Sequence, residues 1–455
     1  MTSINDIIAL CKRRGFVFTG SEIYGGLPGS YDYGPYGVEL MKNIRESWWN
    51  AMVYQRDDIE GLDAAQITNR TLWKYSGHEA GFSDPLVECK KCGARMRQDK
   101  MADPTKCDAC GSADLMPPRE YKLMMGLSLG AVADGEINAY LRPETATTTF
   151  TNFKNVLDSV PHKLPFGIAQ IGKAFRNEIS PRGFVFRMRE FEQAELQYFV
   201  RPGEDEKYFA EWKALRMAWW VNELGIPADK LRFAPHEKLV HYAKAAEDIE
   251  YLWPDGFDEV EGIHNRSDFD LGSHTKAQKE FGIKAKVMEN SESTMKLSYS
   301  DPQTGESFIP YVIETAIGIN RAMLAVMHNA YTVEDLGDGK TRTVLKLKPS
   351  LAPVKAAVIP LARNVPELLD RANKIVADLR KLGIGRIELE NSGNIGKNYR
   401  RHDEIGTPVC ITVDHQTLED GMVTLRHRDT MKQERIAIAN IVGFLIAVTP
   451  AKAGG

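Results

Sequence analysis

A chain of 455 residues with 62 acidic and 58 basic side chains has a formal net charge of −4. That excludes a surface coated in nucleic acid and leaves room for a local basic face. Apolar and charged fractions of 43% and 26% are ordinary for a globular protein, and no run of about 18 apolar residues exists to span a membrane.

At about 150 residues per domain the length predicts two or three domains. The N-terminus lacks an apolar stretch fit for a signal peptide, so the expected compartment is the cytoplasm, or an organelle matrix if a presequence has been lost. Ile4, Ile7, Ile8 and Cys11 mark a short amphipathic helix. In residues 38–53, Leu40, Met41, Ile44, Trp48, Ala51 and Met52 recur at helical spacing after Gly34, Pro35 and Gly37, which predicts a helix with one apolar face.

Residues 87–118 shift to Cys, Lys, Asp and Gly, as an inserted module would. Cys89-x-x-Cys92 and Cys107-x-x-Cys110 stand fourteen residues apart, each followed by glycine (Gly93, Gly111). Four thiolates so spaced bind Zn²⁺ tetrahedrally and leave no open position for catalysis, so the metal would be structural. The competing reading is four unconnected cysteines. Cys11 and Cys410 read as buried apolar filler.

Residues 140–199 read as strands and hairpins. Within them, "FRNEISPRGFVFRMREFEQAE" (175–195) lacks helical order, and Pro181 and Gly183 break it as a turn would. Phe184, Phe186 and Met188 alternate with Val185, Arg187 and Arg189, so both arms read as β-strands presenting arginines and carboxylates from one sheet. Residues 204–225 and 237–253 read as helices, and 307–331 as a strand and a helix joined near Gly318. Turn residues and prolines place a domain boundary near 348–353. Beyond it, strands at "AAVIPL", "RIELE", "VCITVD" and "MVTLRHR", a helix at 365–382 and a closing helix at 434–448 predict a compact α/β domain of about 100 residues.

Adjacent cations and anions suit a substrate pair of polyphosphate and amine. Arg176 can grip a phosphate with two parallel hydrogen bonds, Glu178 can accept from an exocyclic amine or ribose hydroxyl, Phe191 can stack on a purine, and Glu195 can hold an ammonium. The alternative is a cross-strand ion-pair ladder that only supports the sheet. "KNYRRH" (397–402) and "RHRDTMKQER" (426–435) cluster cations in an acidic protein, as a phosphate-binding surface would; a solvated charged face is the competing reading.

The 175–195 stretch resembles motif 2 of the class II aminoacyl-tRNA synthetases in its glycyl form. The resemblance covers nearly the whole chain: "YDYGPYGVELMKNIRESWW" is similar to motif 1, "PYVIETAIGINR" to motif 3, and "SGHEAGFSDPLVECKKC", "LRPETA", "HEKLVHYAKAAEDIEYLWPDGF" and "EVEGIHNRSDFDLGSH" to further family segments. "IGKNYRRHDEIGTPVCITVD" resembles the anticodon-binding domain. The resemblance implies an α+β catalytic core (1–86 and 119–348), an antiparallel class II sheet flanked by helices. It also implies a zinc-ribbon-like insertion (87–118) and an α/β anticodon-binding domain (349–455).

It further implies ATP contacts from Arg176, Asn177, Glu178, Phe186, Arg187, Met188, Arg189, Glu190, Phe191, Glu259, Val260, Gly318, Ile319, Asn320 and Arg321. Arg176 would meet the α-phosphate and Arg321 the γ-phosphate; with Glu178 these are the expected catalytic residues. Glycine would be held by Glu144, by Phe191, Glu192, Gln193, Ala194 and Glu195, and by Glu314, Thr315, Ala316, Ile317 and Gly318, with Arg97 reaching in from the insertion. ATP, Mg²⁺, a structural Zn²⁺, glycine and tRNA(Gly) are the implied ligands, and a homodimer through the motif 1 region the implied assembly. The chain departs from the family pattern at Thr147, Thr148, Ala316, Asn320 and Asp99-Lys100. Two further readings keep the fold: a synthetase for another amino acid, and a non-catalytic paralogue that binds nucleic acid.

Overall fold

The computed structural model describes residues 2–130, 137–237 and 242–448. Its centre is a seven-stranded sheet in the order Leu231–Pro235, Ala245–Trp253, Gly256–Ser267, Tyr311–Gly318, Glu190–Val200, Phe166–Phe175, Ile59–Leu62. All pairings are antiparallel except that of the edge strand Ile59–Leu62.

Because side chains alternate across a strand, the sheet has two different faces. One is covered by helices Pro35–Trp49, Asp205–Asn222 and Ile319–Ala330. There Leu40, Ile44, Trp48, Trp212, Trp220 and Met323 pack on Ala194, Leu196, Ile313 and Ile317. On the other, Phe150 and Phe153 of helix Ala146–Ser159 pack on Phe166, Phe199 and Val312, and the rest of that face stays open as a cavity. Helix Pro35–Trp49 begins as its sequence dictates, with Pro35 in the first turn after Gly34, where a missing N–H costs nothing.

A second sheet runs Ile387–Leu389, Ala356–Pro360, Val409–Val413, Met422–His427, Gln433–Ala437, its first three strands parallel and the rest antiparallel. Helices Pro366–Arg380, Ile395–Glu404, His415–Asp420 and Ile441–Val448 accompany it. The buried carboxylate of Asp403 ties this sheet to hairpin Tyr331–Asp335/Thr341–Leu345: Arg426 reaches it at 2.8 and 2.9 Å and Arg342 at 3.3 Å. Among the described residues no helix is long and apolar enough to cross a membrane.

Several expectations are corrected. Of the two arms expected in 175–195, only Phe175 and residues 190–195 are strand. The hairpin is Phe166–Phe175 with Glu190–Val200, and residues 176–189 form its connection, with a 3₁₀ turn at Phe184–Phe186. Residues 140–199 are not all strand, since Ala146–Ser159 is helical. Residues 238–241 of the expected helix 237–253 lie outside the described residues, and Ala245–Trp253 is a strand paired on both sides. There pairing overrides an Ala- and Glu-rich composition that favours helix. Gln433–Ala437 is an edge strand, so the closing helix starts only at Ile441.

The cationic surface expected at 397–402 and 426–435 is largely neutralised. Arg401 pairs with Glu390, Arg428 with Asp429, and Arg435 with Asp414 and Asp420, while Arg426 is buried on Asp403. Lys397 and Lys432 remain exposed.

Candidate active site and metal centre

The open face of the main sheet holds a cavity of about 190 Å³. From the expected site it gathers Glu144, Arg176, Glu178, Phe186, Arg187, Met188, Phe191, Gln193, Glu195, Glu259, Glu314, Ala316, Gly318, Asn320 and Arg321. Period-two alternation decides which members of each run take part. Phe191, Gln193 and Glu195 line the cavity, and so do Glu314, Ala316 and Gly318. Ala194 and Ile317 are buried in the opposite core, as are Val260 and Ile319. Thr315 is likewise buried on the far side, and Glu192 takes an ion pair from Arg45 of helix Pro35–Trp49.

Strand Gly256–Ser267 obeys the same rule apart from two irregularities, one at its end between Asn265 and Ser267 and one that reorders the cavity wall. Ile249 pairs with Glu261 and Glu250 with Glu259, so Val260 is an extra residue, a β-bulge. The bulge changes the strand's parity. Glu259 lies on the cavity side, and so do Gly262, His264 and Arg266, while Glu261 is turned into the core.

The cavity has two electrostatic ends. At one, Arg176, Arg187 and Arg321 converge. Arg176 lies over the rings of Phe82 and Phe191 at 5.3 and 5.2 Å and donates from Nε to the Pro143 carbonyl. Arg321 lies 4.4 Å over the Phe186 ring and meets the Glu259 carboxylate at 3.3 Å. Glu259 is half exposed, and Arg321 and then Arg176 hold it below its ordinary value. Arg187 sits 3.7 Å from Glu178, and burial lowers its pKa.

At the other end are three glutamates, Glu195 and Glu314 buried and Glu144 partly so, each held by a neighbour. Glu195 accepts from the Thr145 hydroxyl at 2.5 Å. Glu144 accepts from Thr147 at 2.6 Å and faces His78 Nε2 at 3.2 Å. Glu314 meets Arg266 at 3.0 Å and His264 at 3.2 Å, and its other oxygen accepts from Gln197. Arg266 is itself gripped at 2.7 and 2.8 Å by both oxygens of Asp270 and lies 3.9 Å over the Tyr242 ring.

These surroundings separate the three acids. Burial favours protonation of all three. For Glu144 the His78 contact outweighs it, and for Glu314 the Arg266 cation does, so both are held below the ordinary carboxylate value. Glu195 has no such cation; burial, then Glu314 and Glu144, push it up to about 8. The result is an anionic pit with one spare proton, suited to a small cation.

Other expected residues lie outside the cavity lining. Asn177 uses its backbone N–H on the Leu123 carbonyl. Glu190 is exposed and pairs with Lys173. Arg189 binds main-chain carbonyls, and Arg97 pairs with Asp84 and Asp99 at 2.9 and 2.8 Å. Asn320 reaches the cavity edge, but its amide is engaged: Oδ1 accepts from the Glu192 N–H at 2.7 Å and Nδ2 contacts the Tyr33 hydroxyl. His78, Tyr242, His264 and Arg266 were missed. The even-numbered run Gly262, His264, Arg266 was the available signal.

In the module at 87–118, all four cysteine sulfurs lie within 4.8 Å of one another, with Cys89–Cys110 and Cys92–Cys107 at 3.7 Å. Four sulfurs about 2.3 Å from a tetrahedral Zn²⁺ stand about 3.8 Å apart, so the donor set fits that ion and is far from disulfide distance. Gly93 and Gly111 have φ of 71° and 69°, and their N–H groups close the turns onto the carbonyls of Cys89 and Cys107. Only glycine adopts that conformation at no steric cost.

Residues 130–330 match the family described as the tRNA synthetase class II core domain (G, H, P, S and T), and residues 355–447 match the anticodon binding domain. The chain is 49% identical to "Glycine--tRNA ligase" of Thermus thermophilus over 98% of both chains. It is 48% identical to the protein of that name from Deinococcus radiodurans, over 98% of this chain and 99% of the other. With the Borreliella burgdorferi protein it shares 48% identity over 98% and 97%. The chain belongs to the glycine--tRNA ligase family of class II tRNA synthetases.

Proposed function

We propose that this chain activates glycine with ATP, releasing pyrophosphate, and passes the glycyl group from the adenylate to the 3′ end of tRNA(Gly). One observation carries the reading: a single cavity joins an arginine end to a pit of three glutamates. The glycine carboxylate attacks the α-phosphorus in line. It is already ionised, so no general base is needed, and catalysis is positioning plus stabilisation of charge on phosphate oxygens. Arg176 is assigned to the α-phosphate and Arg321 to the γ-phosphate, with Glu178 and Arg187 beside them. Phe186 and Phe191 flank the nucleotide, and Glu259 accepts from it.

Glu144, Glu195 and Glu314 take the glycine ammonium, and the remaining wall is small, with Ala316 and Gly318. An added methyl meets carboxylates and loses by overlap and desolvation. Arg266, His264 and His78 aim the glutamates. Glu178 and Glu259 are the hard oxygen donors that would hold a Mg²⁺ carried on ATP, which would supply further neutralisation of phosphate charge. Cys89, Cys92, Cys107 and Cys110 would hold Zn²⁺ as a structural ion. Residues 1–86 with 119–348 form the catalytic core, 87–118 the zinc module and 349–455 the tRNA anticodon domain. A cytoplasmic homodimer through helix Pro35–Trp49 completes the proposal.

The test is ATP–pyrophosphate exchange with each standard amino acid in turn. Exchange with glycine alone is expected. Exchange with another amino acid replaces the substrate, and none with any, tRNA included, favours a non-catalytic paralogue.

A further inference from the structure

We infer that Arg189 is a positioning residue, and that with the loop 20–30 it braces the connection 176–189 which carries Arg176, Glu178 and Arg187 into the cavity. The connection needs holding. It has little regular structure, and Phe184 sits at φ 58°, a conformation that a bulky residue keeps only where its surroundings impose it.

Three contacts come from Tyr31 and from the loop 20–30 that precedes it. The loop is closed on itself by hydrogen bonds between Gly20 and Ser30, Leu27 and Gly20, and Ser30 and Leu27, at the end of hairpin Val17–Thr19/Tyr31–Tyr33. First, the Tyr31 ring meets the edge of Phe184 at 5.1 Å. Second, Gly29 lies so close to Pro181 that a β-carbon would stand 2.6 Å from its Cγ. Third, Arg189 fastens both sides: its N–H donates to the Gly29 carbonyl at 2.9 Å, and Nη1 donates to Pro28 at 2.6 Å. Nη2 of the same guanidinium donates to the Glu178 carbonyl at 3.1 Å, and the Arg189 carbonyl accepts from Arg176 N–H at 2.9 Å. The guanidinium thus links the loop to the Glu178 backbone, and the Arg189 main chain links Gly29 to Arg176. A lysine could not make this fork.

The functional consequence rests on the proposed ATP site; the brace itself does not. The test uses the full chain and the variants Arg189→Ala, Arg189→Lys, Gly29→Ala and the double Arg189→Ala/Gly29→Ala. Hydrogen exchange of residues 176–189 should accelerate by about tenfold or more in Arg189→Ala and Gly29→Ala, with Arg189→Lys between them and wild type. In glycine-dependent exchange, KM for ATP should rise about tenfold, as loss of charge-assisted bonds predicts, while KM for glycine stays within about twofold, because the glutamate pit is held by other elements. The double variant should be no worse than the worse single one, since both break one device. Unchanged hydrogen exchange in Arg189→Ala overturns the brace, whatever the activity. Accelerated exchange with equal losses for ATP and glycine, or additive losses in the double variant, overturns the positioning role. Accelerated exchange in variants of an inactive wild type keeps the brace and retires the functional reading.

Discussion

Replacing Glu195 by glutamine tests the charge arrangement of the pit. Burial, and then the charges of Glu314 and Glu144, raise Glu195 from 4.5 to about 8 against the opposing hydrogen bond from Thr145. A carboxyl whose folded pKa is raised contributes stability that is whole below the unfolded pKa and is lost as pH climbs through the folded value. Between those limits each pH unit removes about 1.4 kcal/mol, so from pH 6 to pH 8 the loss is roughly 2–3 kcal/mol. Glu195→Gln carries no proton to lose and should escape that slope. The assay is urea unfolding of wild type and variant across this range, paired with kcat/KM for glycine. The wild-type unfolding free energy should fall relative to the variant. Its kcat/KM should rise with pH, reach half its maximum near pH 8 and level off above that, as ionised Glu195 becomes available to the ammonium, whereas the variant stays low and flat. If the two proteins run parallel from pH 6 to 8, Glu195 is ionised throughout and the reasoning is wrong.

Behind the pit, Arg216 meets Glu261 at 2.5 Å with both fully buried, and Trp220 donates to the same carboxylate. Arg216→Met should cost about 3–5 kcal/mol by stranding that charge, and Arg216→Met/Glu261→Gln should recover most of it in urea melts; a single-variant loss under about 1 kcal/mol would refute burial of a charged pair. Cys107→Ser should lower the zinc content by about one ion per chain and speed hydrogen exchange in Ser83–Glu88 and Arg119–Lys122, because a module this small leans on its metal. Full protection without metal would show that the module folds on its own core.

The sequence was most legible where one signal acted locally. The apolar periodicity before Trp49, the strand-to-helix switch at Gly318 and the paired CxxC knuckles all correspond to the structure. It was least legible where neighbours decide. Ala245–Trp253 is helical by composition and a strand by pairing. Helix Ala146–Ser159 hides behind threonines whose hydroxyls bond back to its own first turn, as Thr148 does to Thr145. In the site, motif runs such as 191–195 and 314–318 overstate the lining, because a strand offers only alternate residues to one face. His78, Tyr242 and the strand pair His264 and Arg266 come from three segments that meet only in the fold, His78 against Glu144 and the others in the cavity lining.

The extra residue at Val260 makes this site sensitive to reading frame in three dimensions. Removing it would give a more regular ladder, yet it would exchange the two faces for every side chain on one flank of the deletion. Glu259 would go to the core or Glu261 to the cavity, and either change separates a carboxylate from its arginine. A substitution here changes one contact. A one-residue deletion turns a whole flank of the strand to the opposite face, so this strand should accept replacement far more readily than any change in length.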